Sequence, residues 1–296
     1  MAGSRFCIVR LQALTLVALF VSAFNSSVLA QKDKKVSATV PLPLTRTTTR
    51  HETRHFASGG TVTLVGAPVG SISVTGWRRS EVEITADVEL HADTEENLAH
   101  LSSLNNFVVD EEAGNLSILT TGTRNEDFMR RQAKEFPKEL AGWPWKIDYR
   151  INVPAVSNLE INAGSGTLDL SGIEGTIRVN ATESDATLSL TGGAVTAIIQ
   201  HGKIRLIIPA RAWHGVGADI RLASGDLTVE LPPGFSASIN AEVLHSGRIE
   251  NAFPELQSRG LSSLALRSLH ADAGGGGAVL SFTVGDGTIR LVKTEH

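Results

Sequence analysis

The stretch from Asn158 to Val179, NLEINAGSGTLDLSGIEGTIRV, constrains the fold more than any other because the chain keeps returning to it. A glycine or small polar pair precedes a short alternating run, as in Gly166-Thr167-Leu168-Asp169-Leu170 and Gly175-Thr176-Ile177-Arg178-Val179. The unit recurs at Asp185–Leu190, Gly202–Leu206, Gly225–Val229, Gly247–Glu250 and Gly287–Leu291. Consecutive units sit about nine or ten residues apart. Period-two alternation puts Leu, Ile or Val on one face and Asp, Arg, Ser or Thr on the other. Glycine between runs supplies corners that side-chain-bearing residues resist. Many short strands at regular spacing define an all-β repeat architecture, and repeats this short point to a β-solenoid.

Residues 1–30 carry the pattern of a secretory signal peptide. Arg5 and Arg10 form a positive start, and Leu11 to Ala23 is an apolar run too short to span a bilayer. Val28-Leu29-Ala30 then offers small residues before a polar Gln31-Lys32-Asp33. Export to the periplasm, cell surface or medium is therefore expected. The one cysteine, Cys7, lies inside this segment, so a processed chain would have no disulfide, thiolate metal site or cysteine nucleophile. With Arg5 and Arg10 removed, the 27 basic side chains become 25 against 31 acidic ones. That balance disfavours nucleic acid, whose phosphates need a basic patch. No later stretch is apolar enough for a membrane helix, so no transmembrane segment is expected after processing.

Residues 31–50 are rich in lysine, proline and threonine and read as an extended linker. The solenoid is expected over 51–296. Strands are expected at Gly60–Val65, Gly70–Val74 and Glu81–Val88, then at Phe107–Val109, Asn115–Thr120 and Lys146–Val153. A helix follows Asp93, with Thr94 as N-cap and Leu98, Leu101 and Leu104 at helical spacing. An irregular insertion spans about 123–146, with a short helix ending near Pro137. The last strand, ending Gly287-Thr288-Ile289-Arg290-Leu291, is expected to close the array. Strands of four to seven residues argue against an outer-membrane barrel, which needs roughly nine to eleven.

The run Gly70-Ser71-Ile72-Ser73-Val74-Thr75-Gly76-Trp77, followed by Glu81-Val82-Glu83-Ile84, resembles the opening block of the bacterial putative-adhesin β-strand-repeat family. Tyr149-Arg150-Ile151-Asn152-Val153-Pro154, the Gly-Thr-Leu/Ile repeats and the final Gly-Thr-Ile-Arg-Leu strand look like its body and close. The likeness covers most of the chain after Arg50. It implies an exported, single-stranded, right-handed parallel β-helix with short helical insertions and no established catalysis.

Five features invite chemistry. His51-Glu52-Thr53-Arg54-His55 matches the zinc-protease H-E-x-x-H, but it follows Thr45-Arg46-Thr47-Thr48-Thr49 and runs into a strand. Residues four apart on a strand are about 13 Å apart and cannot clasp one ion. Gly274 to Gly277 lacks the Lys-Ser/Thr of a phosphate loop. Gly164-Ser165-Gly166 suggests a calcium roll, but Leu168 stands where Asp is required, and Asp169 faces the other way. Outward charges at Asp169, Arg178, Arg205, Arg221, Glu250 and Arg290 would form ladders if coils stack in register. Trp143-Pro144-Trp145 offers two indoles that either pack down to hold the insertion against the solenoid or stack on sugars or anchor a protein partner. The binding candidates are thus Trp143, Trp145, Arg178 and Arg205; no catalytic residue, metal ligand or cofactor is nominated. The expected function is a non-enzymatic, adhesin-like interaction module at the cell envelope, facing an unidentified protein or glycan surface. A polysaccharide lyase or hydrolase on the same scaffold is the alternative, and a purely structural envelope protein the third.

Overall fold

The computed structural model describes residues 43–132, 136–254, 256 and 266–294. The expected signal peptide and most of the expected linker lie outside those residues. The chain begins with β1 (Leu44–His55), β2 (Thr61–Val69), β3 (Ile72–Trp77) and β4 (Glu81–Ala92). Next come α1 (Glu95–Leu104), β5 (Asn106–Glu112), β6 (Asn115–Thr121), α2 (Glu126–Gln132) and a 3-10 turn (Lys138–Gly142). The body is β7 (Trp145–Pro154), β8 (Asn158–Ser171), β9 (Thr176–Ser189), β10 (Gly192–Ile207) and β11 (His214–Leu231). It ends with β12 (Ala237–Asn251), β13 (Ser268–Ala273) and β14 (Val279–Lys293). All the strands belong to one mixed sheet that does not close.

The repeat strands are longer than the alternation suggested because pairing continues through each glycine corner. In β8, Leu159 and Ile161 are buried before the corner and Leu168 and Leu170 after it. In β10, Ile199 precedes the corner and Ile204 follows it. The odd step between them switches which alternate residues face inward, as a bent strand must if both arms are to cover one core. Each long strand is therefore one rung with two arms. Rungs stack in parallel with like residues in register: Ile161, Val179, Ala197, Ile220, Phe282 and Ala241 form one inward row. The buried side chains of both arms belong to a single hydrophobic cluster.

The stacking order corrects one expectation. β14 does not close the array; it pairs with β11 on one side and β12 on the other. β12 and the antiparallel β13 form that end of the stack instead. The linker boundary also shifts: β1 begins at Leu44 and pairs antiparallel with β4 from Leu44↔Ala92 to His55↔Glu81. That pairing, which the Thr- and Arg-rich sequence alone does not dictate, makes the segment a strand.

Toward the other end of the sheet, β2 and β3 are two arms around Gly70 and stack on β8. β6 and β7 stack on β2 and β3 in turn, so the insertion occupies the place of a corner. β4 and β5 then run antiparallel to β7 and β6, with α1 between them. Thr94 caps α1 as expected, its hydroxyl accepting the Asn97 N–H at 3.1 Å. Thr94→Ala should cost about 1 kcal/mol, read as a small drop in the chemical-denaturation midpoint with the slope unchanged.

Candidate functional site

Register decides which outward side chains can act together. Asp169, Thr187, Arg205, Thr228, Arg290 and Glu250 form one row on the second arm. Arg178 stands on the first arm, between Glu160 and Thr196. The six charges expected to form ladders are thus divided between two arms, and Arg178 and Arg205 do not converge. Arg178 is paired with Glu160 at 3.0 Å and Arg205 with Glu230 at 2.5 Å. Arg290 bridges Asp226 at 3.1 Å and Glu250 at 2.9 Å, and Arg221 holds Asp219. Exposed pairs of this kind add little stability individually. What they do is fix the order of charges along each row.

Both tryptophans are drawn toward the core. Trp145 is 3% exposed at the start of β7, and its indole N–H donates to the Thr123 hydroxyl at 3.0 Å. A ring enclosed on both faces cannot stack on a ligand, so its role is packing. Trp143 is half-buried against the same core. Burial wins here because the insertion needs an apolar anchor at the point where it leaves the stack.

His51, Glu52 and His55 lie in β1, on a strand rather than a helix. Glu52 is held by Arg50 and Arg54, and His51 faces Glu83 at 3.5 Å. Among the described residues no group of three or more His, Cys, Asp or Glu could hold a metal ion, and no helix is long and apolar enough to cross a membrane.

The carboxylates at the corners have a structural task. Asp185 accepts the Lys203 N–H at 2.8 Å, Asp226 the Thr288 N–H at 3.1 Å and Asp286 the Ser246 N–H at 3.2 Å. Each therefore ties one rung to the next where the backbone bends. Asp148 does the same for Ser71, accepting its N–H at 2.7 Å and its hydroxyl at 2.8 Å. Burial alone would raise the Asp148 carboxyl. The two Ser71 bonds and the Lys146 ammonium outweigh it and hold the group below the ordinary 3.8. A carboxyl depressed by folding stabilises the protein above its unfolded value, and that stability is lost as pH falls through the lower folded value. Asp148→Asn should therefore cost about 1 kcal/mol at pH 7. It should also flatten the loss of stability below pH 3.8, seen in denaturation midpoints measured across acid pH.

The insertion frames a further depression that sequence periodicity did not reveal. It is lined by Val65, Gly66, Ala67 and Pro68 from β2, Asn162, Ala163 and Gly164 from β8, and Arg124, Asn125 and Arg130. Its arm is fixed at its root: the Thr123 N–H donates to the Asn105 carboxamide at 2.9 Å, and the Asn125 N–H to the Gly122 carbonyl at 3.0 Å. Asn125 then accepts the Phe128 N–H at 3.0 Å, opening α2. Nothing in the spacing of Arg124 and Arg130 foretold their meeting with β8. The break in the repeat near 123 was the only signal.

The architecture is that of an all-β protein built on one open, mixed sheet. No protein-family model matches the sequence, and no curated protein matches it. Among solved structures it is similar to a putative cell adhesion protein from Clostridium sporogenes. Identity there is 17%, covering 83% of this chain and 100% of that one, with a TM-score of 0.43. It is also similar to a putative adhesin from Bacteroides fragilis, at 11% identity, 83% and 97% coverage and a TM-score of 0.24. A putative adhesin from Parabacteroides merdae gives 11% identity, 83% and 96% coverage and a TM-score of 0.21. These names agree with the family resemblance read from the sequence.

Proposed function

We propose that the chain is an exported, non-enzymatic β-solenoid, an adhesin-like interaction module that works by display at the cell envelope. In this reading one strand winds through successive two-armed rungs in the right-handed sense that parallel crossovers take. The observation that carries the proposal is the in-register parallel stack from β8 to β12. It converts a short sequence repeat into long, stiff rows of outward side chains held one strand spacing apart. A preordered surface of that kind binds an extended glycan or protein without an ordering cost of its own. Arg178 and Arg205 contribute through the rows on their respective arms.

Arg178, Arg205, Arg221 and Arg290 on the outward faces are each tied to an opposite charge, as Arg178–Glu160 and Arg205–Glu230 illustrate. Such pairs present a fixed surface and do not leave a poised acid and base facing each other, as glycoside cleavage requires. Incubation of the purified chain with acidic polysaccharides should give retention without new reducing ends or unsaturated products. Turnover would replace this reading with the lyase or hydrolase alternative.

A further inference from the structure

Two hollows on the outward face of the first arm join into one trough along β11 and β14. They measure about 430 and 490 Å³, and both are lined by Arg221 and Thr283. A β-bulge stands toward each end. On β11, Gly215 and Val216 oppose the single Gly193 of β10, and Val216 is left 79% exposed. On β12, Leu244 and His245 oppose the single Gly285 of β14, and Leu244 is 50% exposed. Bulges re-aim side chains that a regular ladder would hold in line. With Ile198 and Val279, these two are four of the nine large apolar side chains exposed among the described residues, so exposed carbon gathers at this trough. The floor is low because Gly217, Ala223 and Gly285 carry little or no side chain. A Cβ on Gly217 would meet the Val279 carbonyl oxygen at 2.2 Å, and one on Gly285 the Ala223 carbonyl oxygen at 2.4 Å. From 217 to 224 along β11 the trough spans about 23 Å.

The charges that line it are already matched. Arg221 folds back along β11 onto Asp219, with Nε at 3.1 Å and Nη2 at 2.6 Å from its two oxygens. Asp286 accepts the Ser246 N–H at 3.2 Å and hydroxyl at 2.7 Å, and it faces His245 at 3.7 Å. An ionic ligand would therefore have to break a pair in order to gain one. The uncommitted groups are hydroxyl, amide and imidazole. Among the described residues, the side chains of Thr196, Gln200, His201, Ser224, Ser281 and Thr283 make no hydrogen bond or ion pair. Such groups both donate and accept.

A ligand with C–H faces for the floor, hydroxyls for the rim and no charge is a neutral sugar. A trough laid along extended strands asks further for a chain that is itself straight and flat. β-1,4-Linked rings with equatorial hydroxyls form such a ribbon, whereas α-1,4-linked rings coil. We propose that the trough along β11 and β14 binds a neutral β-1,4-linked polysaccharide. Its rings lie over Gly217, Ala223 and Gly285, and its hydroxyls meet Gln200, Ser224, Ser281 and Thr283. The assignment rests on the display reading above and gives it a neutral ligand class, at a place apart from the paired arginines of the second arm.

Calorimetric titration of the purified protein with cellohexaose tests the site, with maltohexaose as the coiled neutral control and hexagalacturonate as the charged one. Cellohexaose should bind saturably and at least tenfold more tightly than maltohexaose. Ala223→Leu, which raises the floor at an exposed position, should weaken cellohexaose at least tenfold, and Gln200→Ala about fivefold. Both variants should keep the circular dichroism spectrum and denaturation midpoint of the unaltered chain. Arg205→Gln, on the other arm, should leave cellohexaose affinity unchanged, and Ala223→Leu should leave any hexagalacturonate binding unchanged. Equal binding of maltohexaose, unchanged cellohexaose affinity in both Ala223→Leu and Gln200→Ala, or a parallel loss of hexagalacturonate in Ala223→Leu would overturn the assignment. No saturable binding of cellohexaose, with acidic polysaccharides still retained, would overturn the trough and leave the display reading standing. Turnover of cellohexaose would instead overturn the display reading itself.

Discussion

Gly287→Ala should destabilise the protein by about 3 to 5 kcal/mol, combining left-handed backbone strain with overpacking. Gly287 has φ +145°, and a Cβ on it would lie 1.7 Å from the carbonyl oxygen of Gly225 on the neighbouring rung. The contact is one link in a column. Gly225 would meet Gly202 at 1.8 Å, Gly247 would meet Gly287 at 1.8 Å, and Gly166 would meet Gly70 at 1.9 Å. A carbonyl that belongs to the stacked backbone cannot swing aside as a flexible side chain can, so the rungs would have to part. Gly114→Ala is the matched control, since Gly114 has φ +85° but nothing within 4 Å of its Cβ position. It should cost only about 1 kcal/mol. Equilibrium denaturation of the two variants separates crowding from backbone conformation, and equal losses would show that the column is not under steric constraint.

Phe282→Ala is the second large effect expected, at about 3 to 5 kcal/mol. Phe282 is 1% exposed and stands on β14, between Ile220 of β11 and Ala241 of β12 in the inward row. Its ring fills space that the alanines at 197 and 241 leave open, so truncation creates a void that neighbouring small side chains cannot close. Ile239→Val, in the row beside it on β12, removes one methylene and should cost about 1 kcal/mol. Denaturant midpoints for both variants check the contrast. A Phe282→Ala loss no greater than that of Ile239→Val would mean that β14 does not sit inside the stack.

The two-arm rung was largely readable from the chain because alternation and glycine are local signals. Leu168, Leu170, Ile177 and Val179 are buried on the face their spacing assigns, and Thr94 caps the helix that its neighbours imply. What alternation does not encode is the neighbour of each rung. β14 carries the same pattern as β12, so nothing in it announces that it pairs with β11. The segment at 44–50 hid for a related reason: its alternating Thr and Arg fit an edge strand as well as a tether, and only pairing with β4 decides between them. The tryptophans left two readings open because an indole suits a buried anchor and a ligand platform equally, and burial is settled by tertiary packing. Arg124 and Arg130 were illegible for the opposite reason. They lie outside the repeat, and their partners in the hollow come from β2 and β8, far away in sequence.

The order β11–β14–β12 is the feature on which the rows, the core and the end of the stack all depend. Cysteine pairs test it directly, since the sole native cysteine is Cys7, within the expected signal peptide. Arg221 faces Thr283 in register, and Thr283 faces Glu242. Adjacent strands lie about 4.8 Å apart, within disulfide reach, whereas two strand spacings exceed the roughly 7 Å limit. Mild oxidation should therefore link Arg221→Cys with Thr283→Cys in nearly all molecules and leave the Arg221→Cys, Glu242→Cys pair as free thiols. Efficient linkage of 221 to 242, with 221 and 283 remaining reduced, would place β12 directly on β11 and contradict the stack described for this protein.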